Sequence, residues 1–271
     1  MRIPVPAALA ERAAAAQGAV APARDAATIA LLRAGPEGVE TYLLRRQSTM
    51  EFAPGQYVFP GGSVQESDRE DIGWVGPPES WWAARFSCDV EVARALVVAA
   101  VRETFEESGI LLAGPDEQSI VADTGEDWSQ QARLDLEGGR TSLAELFAAR
   151  QLVLRADLLG PWSHWITPAF EPRRYDTRFF VAAAPPGQRV GSLPGEADRA
   201  AWVSLKRVTA AVRAGEAAML PPTWVTCREL EPVAVDGLLD AAGRREIVPI
   251  EPCIVEVDGE LFLENPVEDL S

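Results

Sequence analysis

Residues 102–110 carry the sequence Arg-Glu-Thr-Phe-Glu-Glu-Ser-Gly-Ile, and the interpretation of the whole chain begins with this stretch. In a helix, Glu103, Glu106 and Glu107 stand at i, i+3 and i+4, so their side chains share one face. Three like charges at this spacing repel one another unless a divalent cation lies among them. Carboxylate oxygens are the ligands that Mg²⁺ and Mn²⁺ prefer. The stretch therefore predicts a helix with a metal site on one face, and a solvated acidic face is the competing interpretation.

The neighbouring residues support a helix over residues 93–108. Val101 and Phe105 recur at helical spacing on the side opposite the glutamates. Gly109 follows as a predicted left-handed cap of the helix C-terminus. Upstream, the Phe-Pro-Gly-Gly sequence at 59–62 predicts a tight turn, whose glycines allow the backbone to approach a ligand closely.

Gly62 and residues 102–110 together resemble the Nudix box, whose pattern is G-x5-E-x7-R-E-U-x-E-E-x-G-U. The second half matches at every defined position except Thr104, where a bulky apolar residue is usual. Gly62 and Arg102 are forty positions apart instead of fourteen, so about twenty-six residues, roughly 69–93, are inserted within the box.

Other stretches resemble one branch of this family, in which the box carries such an insertion. Residues 46–62 are similar to the segment that precedes the box in coenzyme A pyrophosphatases. Residues 165–168 and 173–180 resemble the Trp-x-Thr-Pro and Arg-Arg-Phe-Asp-Thr motifs of the same branch. The early acidic residue of the box is either Asp68 or Glu66. The chain is thus similar to the Nudix hydrolase superfamily, in the branch of the peroxisomal-type coenzyme A diphosphatase.

The resemblance covers roughly residues 25–230 and implies a Nudix-type α/β/α sandwich with a mixed sheet, in the α/β (α+β) class. We predict an N-terminal arm at 1–24, with a helix or a loose segment at 7–16. We predict a C-terminal extension at 231–271 that packs on the domain and contains a hairpin within 244–264. The insertion is expected to be a surface element beside the catalytic cleft, anchored by Trp81, Trp82 and Phe86.

The local patterns predict further elements. Strands are expected at 27–33, 40–46, 162–166, 178–183 and 202–205. Helices are expected near 128–134, 143–151 and 208–214, and from Pro221 onward.

Several residues have candidate roles in metal binding and proton transfer. Glu103 and Glu107, one helical turn apart, are the first choices as metal ligands. The resemblance implies that the carbonyl of Gly62 completes the ligand set. Glu106 is either a further ligand or the base that takes a proton from water. Glu196, in a predicted loop, is the second candidate for that base.

The candidate cationic residues are arginines. Arg102 is placed with the catalytic residues, since it pairs with Glu106 at i+4 and holds that carboxylate in its pose. Arg45 and Arg46 alternate along a strand, so at most one of them faces the site. The predicted substrate-binding residues are Arg46, Arg174, Tyr175 and Arg178. His164 is predicted to be structural, and the tryptophans of the insertion to pack in the core rather than stack on adenine.

Composition narrows the class of partner. The chain has 271 residues, 47% of them hydrophobic, and a formal net charge of −16. That charge argues against nucleic acid as a partner but allows a small phosphorylated substrate, because a bound metal inverts the local potential. The three cysteines are widely separated, which fits reduced thiols and a cytoplasmic protein. No stretch is apolar for long enough to span a membrane, and the resemblance allows a homodimer.

The sequence thus predicts a hydrolase that uses Mg²⁺ or Mn²⁺ to cleave a diphosphate bond in a nucleoside diphosphate linked to another moiety. Coenzyme A or an acyl derivative is the preferred substrate. The alternatives are ADP-ribose, NADH or an oxidised nucleotide. A further alternative is a nucleotide-binding Nudix module without turnover, because a fold by itself does not imply an activity.

Overall fold

The computed structural model of the chain describes residues 2–5, 9–11, 13, 20–47, 55–124, 128, 130–191 and 197–265. The strands within these residues are β1 (Arg2–Pro4), β2 (Ala23–Gly35), β3 (Gly38–Arg46), β4 (Tyr57–Val58), β5 (Gly61–Ser63), β6 (Trp74–Val75), β7 (Ala113–Gly114), β8 (Val153–Arg155), β9 (Leu159–Ile166), β10 (Arg174–Ala183), β11 (Ala197–Ser204), β12 (Pro249–Ile250), β13 (Cys253–Val257) and β14 (Glu260–Glu264). The α-helices within them are α1 (Glu79–Phe86), α2 (Val90–Ser108), α3 (Gln130–Glu137), α4 (Leu143–Arg150), α5 (Leu205–Arg213), α6 (Pro221–Leu230) and α7 (Leu238–Arg244). Short 3₁₀ helices occur at Glu66–Arg69, Ala156–Leu158 and Val235–Gly237.

A mixed sheet forms the centre of the molecule. Its strand order is β11-β3-β2-β10-β9-β12, with β4 paired to β3 and β5 paired to β2. β10 is parallel to β2 and β12 is parallel to β9, whereas β2, β3 and β11 run antiparallel. Each predicted strand lies within or overlaps one of these, so the mixed sheet expected from the sequence is confirmed.

Helices cover both faces of this sheet. Successive residues of a strand point to opposite faces, and β2 shows the consequence. Ile29 and Leu31 join the core beneath α1 and α2, while Ala30 and Leu32 join the core beneath α5, α6 and α7. This is the α/β/α sandwich that the sequence predicts.

Helix α2 carries the glutamates and is buried along most of its length. Its range, Val90–Ser108, starts three residues before the predicted start and ends where predicted. Val101 and Phe105 are fully buried, and Ala99 and other small residues let the helix lie close to the sheet. Gly109 adopts the left-handed conformation with φ of 78° and donates its N–H to the Phe105 carbonyl at 2.8 Å.

The insertion within the box contributes to the core. Trp82 and Phe86, on α1, are 0% and 1% exposed. Their rings lie 5.6 and 5.1 Å from the ring of Phe180, which projects from β10 in the centre of the sheet. The expected anchoring of the insertion by Trp82 and Phe86 is therefore confirmed, and the exposed Ser80 and Ala84 place the outer face of α1 at the surface. Core packing of the insertion tryptophans is confirmed for Trp82.

The C-terminal part of the chain joins two sheets. β12 extends the central sheet beside β9, with Pro249 paired to His164. β13 and β14 form the predicted hairpin, and β1 pairs with β14 to complete a three-stranded sheet that the sequence did not predict. Most of the segment at 7–16 lies outside the described residues, and the division of the chain at 24 and 230 stays a prediction. Among the described residues, no helix has the length and apolar character needed to cross a membrane.

Candidate active site

The glycine turn and the carboxylate helix, separated by the insertion, meet in space. β5 pairs with β2 so that Gly62 lies opposite Ala27. The N–H of Gly61 donates to Glu107 Oε2 at 2.8 Å. A Cβ placed on Gly62 would lie 2.7 Å from the carboxyl carbon of Glu103. The two glutamates therefore lie against the glycine turn, and the absence of a side chain at Gly62 allows that approach.

Hydrogen bonds from Arg102 hold the acidic residues of this site in position. Its side chain is 1% exposed and donates from Nε and Nη2 to the two oxygens of Asp68 at 2.8 and 2.9 Å. Nη1 donates to Glu103 Oε1 at 2.8 Å and lies 3.3 Å from Glu106 Oε2, and Nη2 reaches the carbonyl of Ser63 at 3.0 Å. Because Arg102 is enclosed by these acceptors, it orients the carboxylates and does not itself face a substrate.

The same contacts identify the early acidic residue of the box. Asp68 is 1% exposed and binds Arg102 with both oxygens. Glu66 is exposed on the surface and lies near Arg69. Asp68 is therefore the acid that links the start of the box to α2, a choice that spacing alone left open.

Negative charge exceeds positive charge at this place. Burial raises the pKa of Glu106 to about 8, the nearby charge of Glu103 adds to the shift, and the charge of Arg102 opposes it. Asp68, Glu103 and Glu106 all lie around the single guanidinium of Arg102. This surplus, formed by hard oxygen donors beside a glycine turn, fits a divalent cation.

The carboxylates do not already surround a common point. Among the described residues, no three His, Cys, Asp or Glu side chains form a group that would hold a metal ion. The contacts give the reason, because Glu103 Oε1 accepts from Arg102 and Glu107 Oε2 accepts from Gly61. Donor type and charge thus fit Mg²⁺ or Mn²⁺, whereas a complete set of converging ligands is not shown.

Two predicted phosphate ligands are engaged by acids of the protein. Arg174 donates to Glu251 at 2.6 Å and to two backbone carbonyls. Arg178 is 4% exposed and lies 2.8 Å from Asp176 and 3.0 Å from Asp25. In this arrangement both guanidinium groups serve the β2–β10 region of the fold, so the geometry does not support their assignment as substrate ligands.

The other candidate substrate residues lie at strand ends. Along β3, Tyr42 and Leu44 belong to the core on the α2 side, so alternation places Arg46 on that side and Arg45 on the other. Tyr175, near the start of β10, is half-buried, and its backbone N–H donates a hydrogen bond to Thr167 Oγ1 at 3.0 Å.

Glu196 lies outside the described residues, but the chain on either side of it is placed. Ala197 pairs with Arg46 at the end of β3. On the other side, the N–H of Gly191 donates to the carbonyl of Ser108 at 2.7 Å. The segment that holds the second candidate base therefore starts at the end of α2 and finishes beside Arg46.

His164 belongs to a buried ion-pair network of the sheet. Its Nε2 is hydrogen-bonded to Asp176 Oδ1, and Asp176 also contacts Arg178. Burial favours the neutral form of Asp176, but the His164 hydrogen bond and the Arg178 charge outweigh it and lower the pKa of that carboxyl. Its contacts are consistent with the predicted structural role.

Sequence patterns did not identify one further residue of this region. Arg133, on α3, is buried and donates two hydrogen bonds to the main-chain carbonyl of Glu106. It lies in a segment whose residues are mostly polar, where a single arginine carries no spacing signal. Its contact with α2 depends on a tertiary approach between two helices.

Comparison with known proteins agrees with this geometry. A family model described as the NUDT19 Nudix domain matches residues 77–230, which include α2 and follow the glycine turn. The Caenorhabditis elegans protein named "Putative nudix hydrolase 7" is 27% identical over 82% of this chain and 66% of its own length. The Gallus gallus protein named "Acyl-coenzyme A diphosphatase NUDT19" is 30% identical over 54% of this chain and 49% of its own, and the human protein of that name is 27% identical over 72% and 61%.

The chain thus spans between about half and two thirds of the length of these relatives. Among solved structures, a NUDIX hydrolase from Alicyclobacillus acidocaldarius superposes with a TM-score of 0.63 at 29% identity. The superposition covers 78% of this chain and 92% of the other. Since the family model matches more than half of the chain and the fold agrees, the chain belongs to the NUDT19 Nudix domain family.

Proposed function

We propose that this chain is a metal-dependent diphosphatase that hydrolyses a nucleoside diphosphate linked to another moiety, with coenzyme A or an acyl-coenzyme A as preferred substrate. One observation carries the proposal. The turn at Gly61 and Gly62 lies against the carboxylates of Glu103 and Glu107, although forty residues separate the two parts of the motif.

The proposed chemistry follows from what a diphosphate bond requires. Its oxygens repel an attacking hydroxide, so a site has to neutralise phosphate charge and supply deprotonated water. A Mg²⁺ or Mn²⁺ ion supplies both when bound. Glu103, Glu107 and the carbonyl of Gly62 are the proposed ligands. Arg102 keeps the carboxylates in position and stays enclosed by them.

Two residues are candidates for the base that accepts the proton of the attacking water. Glu106 is 9% exposed and contacts Arg102, as Glu103 does, so it belongs to the cluster of glutamates at the proposed site. Glu196 is the alternative, because its neighbours in the chain, Gly191 and Ala197, are anchored near the end of α2 and near Arg46. Glu106→Gln and Glu196→Gln separate the two, because loss of the base lowers kcat far more than it raises KM.

The choice of coenzyme A is supported by the names of the vertebrate relatives, which are acyl-coenzyme A diphosphatases. Cleavage would give 3′,5′-adenosine diphosphate and a phosphopantetheine product. Arg46 is the proposed phosphate ligand, since it lies on the α2 face of β3.

The experiment is a substrate panel with the purified protein. Coenzyme A, an acyl-coenzyme A, ADP-ribose, NADH and an oxidised nucleotide are incubated with Mg²⁺ or Mn²⁺ and the products are separated by chromatography. We expect coenzyme A compounds to be cleaved fastest and chelator to stop the reaction. Glu103→Gln and Glu107→Gln should lose activity while remaining folded, with the exposed Glu66→Gln as matched control. Cleavage of ADP-ribose or NADH with coenzyme A untouched would overturn the substrate proposal.

A binding module without turnover is the alternative, and the long separation within the box motivated it. Contact between the glycine turn and α2 removes that motive, because the two halves meet despite the insertion. A binder would retain nucleotide in chelator and give no metal-dependent product. We also propose that the protein is cytoplasmic. We further propose that it forms a homodimer through the β13–β14 hairpin, and light scattering at several protein concentrations tests the dimer.

A further inference from the structure

Arg133 holds the last turn of α2 through its main chain. It projects from α3, is 7% exposed, and donates from Nε and Nη2 to the carbonyl oxygen of Glu106 at 3.0 and 2.7 Å. Carbonyls in the last turn of a helix have no partner within the helix. Two N–H groups of one guanidinium therefore fix the main chain of a residue whose side chain faces the proposed site.

The positive charge of Arg133 also suits its position at the C-terminus of α2. The C-terminus of a helix carries a partial negative charge that cations stabilise. In α2 the last turns contain Glu103, Glu106 and Glu107, and the final turn has no basic residue. Arg102 compensates these carboxylates through their side chains, and Arg133 compensates the helix end through the Glu106 carbonyl.

The same guanidinium lies against a second segment of chain. Gly191 donates its N–H to the carbonyl of Ser108 at 2.7 Å, and a Cβ on Gly191 would overlap Arg133 Nη1 and lie 3.2 Å from its Cζ. Gln188 adds two hydrogen bonds to the main chain of Leu111, at 2.8 and 2.9 Å. The chain that continues toward residue 196 is thus fastened to the end of α2 beside Arg133.

We propose that Arg133 is a positioning residue for the reaction: it fixes the last turn of α2, and with it Glu106 and Glu107, against the start of the segment that leads to Glu196. This inference rests on the proposed diphosphatase function and adds a residue outside the box to it. Arg133 acts through the main chain of α2 and does not contact the substrate.

Two kinds of variant test the proposal. Arg133→Gln removes the charge and the paired donors, and Arg133→Lys keeps the charge but loses the fork of two N–H groups on one carbonyl. Gly191→Ala keeps the arginine at position 133 but displaces its guanidinium group through the added methyl group. The cost to folding should be small because the displaced atom is the end of a flexible side chain. The matched controls are Arg140→Gln, an exposed arginine just after α3, and Gly243→Ala, where a Cβ meets no atom within 4 Å.

The measurements are the dissociation constant of Mn²⁺ by calorimetry, and kcat and KM at saturating Mn²⁺. Outer contacts of a metal site typically affect metal affinity or activity by about 10–100-fold. We expect Arg133→Gln and Gly191→Ala to lose roughly 10-fold or more in one of these quantities, with KM changed less than about twofold and Arg133→Lys in between. Both controls should match the wild type.

The outcomes separate this inference from the proposed function. Folded Gly191→Ala and Arg133→Lys with wild-type Mn²⁺ affinity and kcat would overturn the role of Arg133, even when Arg133→Gln fails to fold. A wild-type chain that binds Mn²⁺ but cleaves no compound of the panel refutes the diphosphatase proposal, and the Mn²⁺ affinities of the variants still decide the role of Arg133. Absence of Mn²⁺ binding in the wild type overturns both.

Discussion

Gly62→Ala gives a direct test of the glycine turn, because the added methyl group would be aimed at a carboxylate. Its Cβ would overlap Glu103 Oε1 and lie 2.7 Å from the carboxyl carbon of Glu103, whereas ordinary contact begins near 3.4 Å. The carboxylate therefore has to retreat by more than about 0.7 Å, and the 2.8 Å hydrogen bond from Arg102 Nη1 to Glu103 Oε1 is strained with it. Misplacement of a catalytic group by about 1 Å costs up to roughly 100-fold in rate.

The neighbouring glycine provides the contrast. A Cβ on Gly61 would lie 2.5 Å from Thr28 Oγ1 and 2.6 Å from the carbonyl oxygen of Ala27, and that carbonyl belongs to the central strand β2. Backbone in a sheet does not yield as a side chain does, and overpacking of this kind typically costs about 1–3 kcal/mol. Gly61→Ala should therefore reduce the free energy of unfolding, whereas Gly62→Ala should chiefly reduce activity.

The assay pairs urea unfolding with steady-state kinetics on the best substrate of the panel. We expect Gly62→Ala to keep a midpoint near that of the wild type and to lose roughly 10–100-fold in kcat/KM. Gly237→Ala, where a Cβ meets no atom within 4 Å, is the control for the substitution itself. Folded Gly62→Ala with wild-type kcat/KM and metal affinity would refute the placement of Glu103 against this turn.

Three further outcomes follow from buried groups of the same region. Arg102→Met should cost about 3–5 kcal/mol in urea unfolding because it leaves Asp68 buried without its partner, and adding Asp68→Leu should recover part of that loss; equal stability of the single variant and the wild type would contradict the buried pair. Trp82→Ala should cost about 3–5 kcal/mol and Trp81→Ala distinctly less, since only the first ring is fully buried, and similar losses from both would argue against a core role for α1. In chelator, the pKa of Glu106 is raised to about 8 from the usual 4.5. The contribution of Glu106 to folding stability is therefore complete below about pH 4.5 and is lost as the pH rises through 8. The melting temperature of Glu106→Gln should accordingly fall less steeply with rising pH than that of the wild type.

Local patterns sufficed for the secondary structure around the site. The run of small and apolar residues before Gly109 specifies α2 by helical periodicity and by a cap that requires φ near 78°. The Asp258-Gly259 pair specifies the hairpin in the same way, with φ of 55° and 82° at the turn. In each case the determining interactions lie within a few residues of one another in the chain.

The features that could not be predicted from the sequence are contacts between elements that are distant in the chain. The aromatic residues of α1 indicate that the helix is anchored, but only the structure shows that Phe180 on β10 is the residue they pack against. The engagement of Arg174 and Arg178 by acids far apart in the chain is equally invisible to a pattern of residues. The choice of Asp68 over Glu66 as the early acid of the box depended on the contact with the guanidinium of Arg102, thirty-four positions away in the chain.

The small sheet of β1, β14 and β13 has a consequence for the order in which the molecule forms and opens. The hydrogen bond between Arg2 and Glu264 joins positions 262 residues apart. In an unfolded chain, closing so long a loop costs more entropy than closing a short one, so this pairing has to wait until the central sheet has brought the two segments together. A contact that forms last and is partly solvent-exposed is also the first to be released by local fluctuation. A protease or a bulky N-terminal tag would therefore act on this sheet first, while the glycine turn and α2, which the central sheet holds, would keep their geometry.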